Sequence, residues 1–180
     1  GMKIARIKGK NSIQVAMGEP ELKPSSIPVI VDRKDIPQAS PVIDYLLTVG
    51  KMKLKITCVS MGNPHAVCFL EQPVADFPLA EIGPRVEHHP MFPNRVNFEI
   101  VNVISNKKRR ARVWERGAGE TLSCGTGACA IAVAARLKKL TDNPVDIILP
   151  GGTLTVDWNE EGEVLLSGPA EVVFEGKWQD

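Results

Sequence analysis

The sequence predicts an α+β fold: a curved antiparallel sheet wrapped around one central buried helix. Three features carry that prediction. Short segments rich in Val, Ile and Thr alternate with turns marked by Gly, Pro and Asn along most of the 180 residues. One segment, residues 125–140, has a clear helical pattern, and Ala128 to Ala135 is apolar on every side, as in a helix buried all round. The last third of the chain reads as an antiparallel meander.

Taken in order, residues 3–8 and 12–17 alternate around Gly9-Lys10-Asn11 and predict a hairpin. Pro20, Pro24 and Pro28 then interrupt the pattern, and residues 18–28 are the best candidate for a domain boundary. Residues 42–49 and 52–60 predict a second hairpin turning at Gly50-Lys51. Residues 65–71 and 96–104 are apolar and β-rich, and residues 108–115 follow a turn at Ser105-Asn106-Lys107. A short helix fits residues 74–87, made irregular by Pro78 and Pro84. Helix 125–140 ends with Arg136, Lys138 and Lys139, where cations suit the helix dipole. The meander is 145–149, 153–158, 163–167 and 171–178, broken at Pro150-Gly151-Gly152, Asn159 to Gly162 and Gly168-Pro169.

Charge is balanced, with 22 Lys and Arg against 21 Asp and Glu. That argues against a nucleic-acid binder and against a polybasic membrane module. No apolar run approaches the ~18 residues of a membrane span, and Met2 to Arg6 has no signal-peptide core. The expectation is a soluble, cytoplasmic protein. Cys58, Cys68, Cys124 and Cys129 form no Cys-x-x-Cys pair and are expected to be reduced thiols. His88-His89 has no carboxylate or Cys at ligand spacing, so no metal site is expected. Lys107 to Arg110 is expected to be a solvated hairpin tip, and Cys58, Cys68 and Cys129 are expected in the core.

The chemistry concentrates in WERGAGETLSCGTGACAIAVAARL, residues 114–137. Cys124 stands just before the buried helix. A helix start offers unpaired N–H groups and partial positive charge, so a thiol there is expected to have a depressed pKa. The amides of Gly125 and Thr126 can bind a carboxylate at the same place, and Arg116 can add a bidentate contact. A second segment, Met61-Gly62-Asn63-Pro64-His65, brings Asn63 and His65 to a strand entry. A third, Phe92 to Asn97, places the amide of Asn97 at the start of an apolar strand. Gly125-x-Gly127-x-x-Ala130 with Asp146 matches a loose dinucleotide fingerprint, but Asp146 falls at the beginning of its strand rather than its carboxyl end.

Together, MGNPH at 61–65, FPNRVN at 92–97 and ERGAGETLSCGTGACA at 115–130 resemble the carboxy-terminal half of diaminopimelate epimerases, over nearly the whole chain. The resemblance implies cofactor-free stereoinversion of an amino acid by two cysteines, one as thiolate base and one as thiol acid. It implies that Cys124 is one of the two, with Glu115 and His65 as further catalytic residues. Gly125 and Thr126 would hold the reacting carboxylate. Asn63, Asn97 and Arg116 would recognise the distal amino-acid group, Glu115 would bind an ammonium, and His65 would tune thiol acidity. No cofactor and no metal is implied. The family's other catalytic Cys lies in a CGNGxR-type motif of an amino-terminal domain, and no such motif stands in this sequence.

The resemblance therefore implies three parts. Residues 1–20 are flanking strands left from the absent domain, residues 21–168 are the epimerase-like domain, and residues 169–180 are a strand that returns to the absent domain. An isolated chain of this kind is expected to be inactive alone, and to form a homo-oligomer or to need the missing domain. Alternatives are a non-catalytic amino-acid-binding module, a different isomerase of the same fold acting on proline-like substrates, and a thiol hydrolase built on Cys124 and His65.

Overall fold

Two parallel strand pairings, each bridged by a helix, organise an otherwise antiparallel sheet. The computed structural model describes residues 4–9, 11–32 and 41–177. Its strands are β1 (Ala5–Gly9), β2 (Ser12–Ala16), β3 (Tyr45–Val49), β4 (Met52–Ser60), β5 (Pro64–Phe69), β6 (Asn97–Ser105), β7 (Lys108–Glu115), β8 (Gly119–Thr121), β9 (Val145–Leu149), β10 (Gly152–Asp157) and β11 (Leu165–Pro169). Two helices accompany them, α1 (Leu79–Glu87) and α2 (Gly125–Leu137). The sheet order is β1-β2-β11-β10-β9-β7-β6-β5-β4-β3, with β8 beside β7.

The α+β class holds, and the antiparallel expectation needs one correction. Strands β5 and β6 run parallel, as do β7 and β9. The reason is connectivity: parallel neighbours need a crossover, and α1 and α2 lie in those two crossovers. Helix α1 is shorter than expected. A 3₁₀ turn takes Val74–Asp76, Pro78 caps α1, and Pro84 sits inside it.

Period-two alternation then builds two cores on opposite faces of the central strands. Ile56, Cys58, Ala66, Cys68, Phe98 and Ile100 face the core that holds Leu79, Ile82 and Val86 of α1. Their odd-numbered neighbours Val59, Val67, Val101 and Val113 face the core of α2. Both faces are buried, so these strands read as continuous apolar runs. From Ala128 to Ala135, every residue of α2 is buried, as its all-round apolar pattern requires.

Three further expectations need correction. Residues 170–177 form no strand and are exposed. The expected strand 171–178 is therefore absent over its described part; Val172, Val173 and Phe174 face solvent without a sheet partner to bury them. The hairpin tip at Lys107 to Arg110 is not wholly solvated. Arg109 is fully buried, and its two terminal guanidinium nitrogens donate to the carbonyls of Ser105, Lys108 and Leu140, while Nε has no partner. Helix α2 stops at Leu137, and Lys139 turns into the left-handed region at φ 55°. The amino-terminal hairpin pairs within this same sheet, β2 against β11 from Ser12↔Pro169 to Ala16↔Leu165. Parts of the flank expectations fall on residues 1–3, 10 and 178–180, outside the described residues.

Candidate active site

Parity places the chemistry. On β5 and β6 the residues facing α2 are the odd ones, so His65, Asn97 and Glu99 all point toward the helix start. His65 pairs with Asn97 in the parallel register, which sets both segments side by side. Strand β7 ends in the loop that carries Glu115 and Arg116, and β8 returns the chain to Cys124.

Cys124 is the N-cap of α2, with extended backbone at φ −136° and ψ 112°. Its sulfur accepts the Gly127 N–H at 3.4 Å, as a cap side chain does. The Thr126 hydroxyl lies 3.6 Å from the same sulfur. The N–H groups of Gly125 and Thr126 stand in the first turn, where no helical carbonyl precedes them. The close packing depends on Gly127. A Cβ there would stand 3.1 Å from Glu99 Oε1 and 3.3 Å from the Cys124 sulfur.

The thiol does not have the depressed pKa expected of a helix start. Burial is the largest influence and pushes it up to about 11. The hydrogen bonds from Thr126 and Gly127 pull it down, while the charges of Glu99 and Glu115 push it further up. The helix end is thus outweighed by desolvation, and Cys124 in this chain is a protonated thiol at neutral pH.

His65 is completely buried, and both ring nitrogens are engaged. Nδ1 lies 2.6 Å from Glu99 Oε1, and Nε2 lies 3.0 Å from Asn63 Oδ1. Asn63 Nδ2 in turn donates to Thr126 Oγ1 at 3.3 Å. His65 therefore meets Cys124 only through Asn63 and Thr126. The direct Cys-His pair of a thiol hydrolase is not formed, which removes the geometric support for that alternative.

Asn97 is a clamp. Its Oδ1 accepts the Arg116 N–H and its Nδ2 donates to the Pro64 carbonyl, both at 2.9 Å. It ties the loop of Arg116 to the strand of His65. Glu115 accepts from the Thr121 hydroxyl, and the exposed Arg116 guanidinium donates to the Asn94 carbonyl at 3.0 Å. Gly117, at φ +78°, needs its missing Cβ to make this turn. All eight residues singled out in the sequence thus lie in one region, around the start of α2.

Two residues of this region were not anticipated. Glu99 is fully buried beneath His65, and its Oε2 has no hydrogen-bond partner. Its signal was present: a charged residue two positions after Asn97, flanked by the apolar Phe98 and Ile100. Glu87, 3% exposed, accepts the Gly117 N–H at 2.9 Å and the Trp114 indole N–H at 2.8 Å. It supports the 115–118 loop from below, and the sequence marks it only as one more acid at a helix end.

The remaining features are structural. His88 Nδ1 donates to the Pro84 carbonyl and His89 Nδ1 accepts the Met91 N–H. Among the described residues no group of three or more His, Cys, Asp or Glu is placed to hold a metal. Cys58, Cys68 and Cys129 are buried in the two cores and form no disulfide.

Comparison with known proteins shows the family. The family model for diaminopimelate epimerase matches residues 57–173. A diaminopimelate epimerase of Acetivibrio thermocellus is 50% identical over 166 residues, covering 92% of this chain and 57% of that protein. One from Methanococcus maripaludis is 44% identical over 182 residues, covering 98% of this chain and 63% of that protein. The chain thus spans about three fifths of the length of these relatives. Among solved structures, a hydroxyproline epimerase from Agrobacterium vitis superposes with a TM-score of 0.60 at 14% identity, over 93% of this chain and 52% of that one. A predicted epimerase from Pseudomonas aeruginosa gives 0.52 at 13% identity, over 96% and 63%. Those likenesses show the fold. With three sequence segments gathered around one capped cysteine and a family model spanning that whole region, the chain belongs to the diaminopimelate epimerase family.

Proposed function

We propose that this chain supplies one half of the active site of a cofactor-independent amino-acid epimerase that interconverts L,L- and meso-2,6-diaminopimelate. The observation that carries the reading is the Cys124 sulfur capping the start of α2, beside the two first-turn amides of Gly125 and Thr126. An α-carboxylate held by the Gly125 and Thr126 amides presents its α-carbon to the Cys124 sulfur. Carbanion-like charge developing at that carbon spreads into the carboxylate, where the helix start stabilises it. Cys124 then delivers its proton to one face, leaving a thiolate that Thr126 and Gly127 are placed to hydrogen-bond. In the reverse direction the same sulfur removes the proton.

A base for the opposite face is also needed. Cys58, Cys68 and Cys129 are core thiols, so we assign the second cysteine to the amino-terminal domain that the resemblance implies, within the part of the longer relatives that this chain does not span. Leu122, 70% exposed and two residues before Cys124, is consistent with a face that this portion or a second copy would cover. Arg116 and Glu115 suit the distal amino-acid group of a substrate with two such ends. No helix among the described residues is long and apolar enough to cross a membrane. With four cysteines in no disulfide and a small-molecule substrate, the cytoplasm is the compartment we assign.

The test uses the pure chain in deuterium oxide, followed by proton NMR, with meso- and L,L-diaminopimelate and with proline. Alkylation of Cys124 is followed in parallel. The reading predicts no interconversion by the chain alone, and slower Cys124 alkylation in the presence of diaminopimelate but not of proline. Turnover by the pure chain, or protection by proline and not by diaminopimelate, would overturn it.

A further inference from the structure

Among the described residues Glu99 is the one fully buried carboxylate at the site, and the proton transfer at Cys124 does not use it. It sits at the far end of a chain of contacts that runs Glu99, His65, Asn63, Thr126, Cys124. The direction of each bond can be worked out. Asn63 Nδ2 donates to Thr126 Oγ1, so Asn63 Oδ1 is the atom that faces His65. An amide oxygen only accepts, so His65 must carry a hydrogen on Nε2. On its other side the ring meets Glu99 Oε1 at 2.6 Å, and Glu99 Oε2 finds no partner. A buried carboxylate with a bare oxygen is costly while charged and uncompensated. Two protons held between Glu99 and His65 remove that cost, one on Nε2 and one on the line between Nδ1 and Oε1. Thr126 Oγ1, already accepting from Asn63, then has its own hydrogen free to give to the Cys124 sulfur.

We propose that Glu99 is a positioning residue for Cys124: it holds His65 with a hydrogen on Nε2, and so fixes the hydrogen-bond direction that ends as a Thr126 hydroxyl donating to the reacting sulfur. The inference rests on the reading of Cys124 as the proton-transferring thiol. Neither readout below needs turnover, so it stands or falls separately from the epimerase reading. The titratable groups facing Cys124 are Glu99 of β6, Glu115 of β7 and, through Asn63 and Thr126, His65 of β5. As a bare negative charge Glu99 raises the thiol pKa. As a positioning residue it lowers it. The two roles have opposite signs.

The experiment uses the full chain labelled with ¹⁵N-histidine, which gives three ring systems, His65, His88 and His89. The proposal predicts a slowly exchanging hydrogen on His65 Nε2 at pH 7; a bare Nε2 overturns it. Site-resolved alkylation of Cys124 by iodoacetamide between pH 8 and 9 is the second readout. Glu99→Met, which can neither give nor take a hydrogen at Nδ1, is expected to slow it roughly tenfold, about one pKa unit for a lost hydrogen bond to a thiolate. Glu99→Gln, whose amide N–H can donate to Nδ1, restores a rate near that of the native chain. In a Thr126→Val background Glu99→Met has no further effect. Faster alkylation in both Glu99 variants would mean a charge effect only and overturns the proposal, as do equal rates in all variants. If Glu99→Met fails to fold, Glu99→Gln and the ring spectrum decide: a charge effect alone speeds the Gln variant, and positioning leaves it unchanged.

Discussion

Replacing Glu87 with Gln tests how the 115–118 loop is held. One carboxylate accepts from the Trp114 indole at 2.8 Å and from the Gly117 amide at 2.9 Å, with Arg95 3.7 Å away. Glutamine offers one acceptor oxygen and one NH₂, so one of the two donors must face another donor. The indole N–H lies in a half-buried setting, and leaving it unpaired costs about 1–3 kcal/mol; the exposed Gly117 amide recovers water and costs less, on the order of 0.5 kcal/mol. Only one donor is lost: with the glutamine oxygen kept on the indole, about 0.5 kcal/mol at Gly117 adds to about 1–1.5 kcal/mol as the indole bond changes from charge-assisted to neutral. The total of about 2 kcal/mol lowers the Tm of a chain of this size by roughly 4–8 °C. Acid adds an independent check. Burial alone would raise the Glu87 pKa, but the Trp114 and Gly117 hydrogen bonds, with His88 and Arg95, hold it below its ordinary value. The carboxylate's contribution is therefore fully present above the unfolded-state pKa and is lost as pH falls through the lower folded-state value. Differential scanning calorimetry at pH 7 and across pH 5 to 3 reads both effects. A Tm within 1 °C of the native chain at pH 7, a bound set well below the roughly 4 °C expected, refutes the reasoning. So does a Glu87→Gln difference that grows rather than shrinks in acid.

Three other outcomes follow from the same geometry. Gly83→Ala sets a Cβ 2.5 Å from the Trp114 ring, too close for either to stay in place. The overpacking is expected to cost about 1–3 kcal/mol or more despite the better helix propensity of Ala, as measured by urea unfolding. Gly127→Ala crowds Glu99 Oε1 at 3.1 Å and the Cys124 sulfur at 3.3 Å; it is expected to change the Cys124 alkylation rate severalfold while far-ultraviolet circular dichroism stays native. With its thiol pushed up to about 11, Cys124 should alkylate roughly tenfold faster per pH unit from 8 to 10. A plateau below pH 9 contradicts that value.

Much of this was legible because the signals are local. A helix apolar on all sides from Ala128 to Ala135 has nowhere to go but the core, and a Cys followed by Gly-Thr-Gly marks its start. The central strands announced themselves by apolar runs buried on both faces. What the sequence left obscure depends on distant partners. The parallel pairing of β5 with β6 is set by where α1 packs, not by either strand. Arg109 reads as surface charge until Ser105, Lys108 and Leu140 turn their carbonyls toward it. The Cys124 pKa went the wrong way because the helix-end effect is local, whereas burial and the charge of Glu99 arrive from across the sheet. Glu99 itself was readable by parity from Asn97, and its partner His65 was already in view.

Cys124 stands at the centre of the proposed chemistry as one of two proton-transferring groups. The direct measurement mixes this chain with the amino-terminal portion of the Acetivibrio thermocellus relative and follows interconversion of L,L- and meso-diaminopimelate by proton NMR. Turnover absent from either part, present in the mixture and lost with Cys124→Ala is the predicted result. Turnover in the mixture that persists with Cys124→Ala would contradict it.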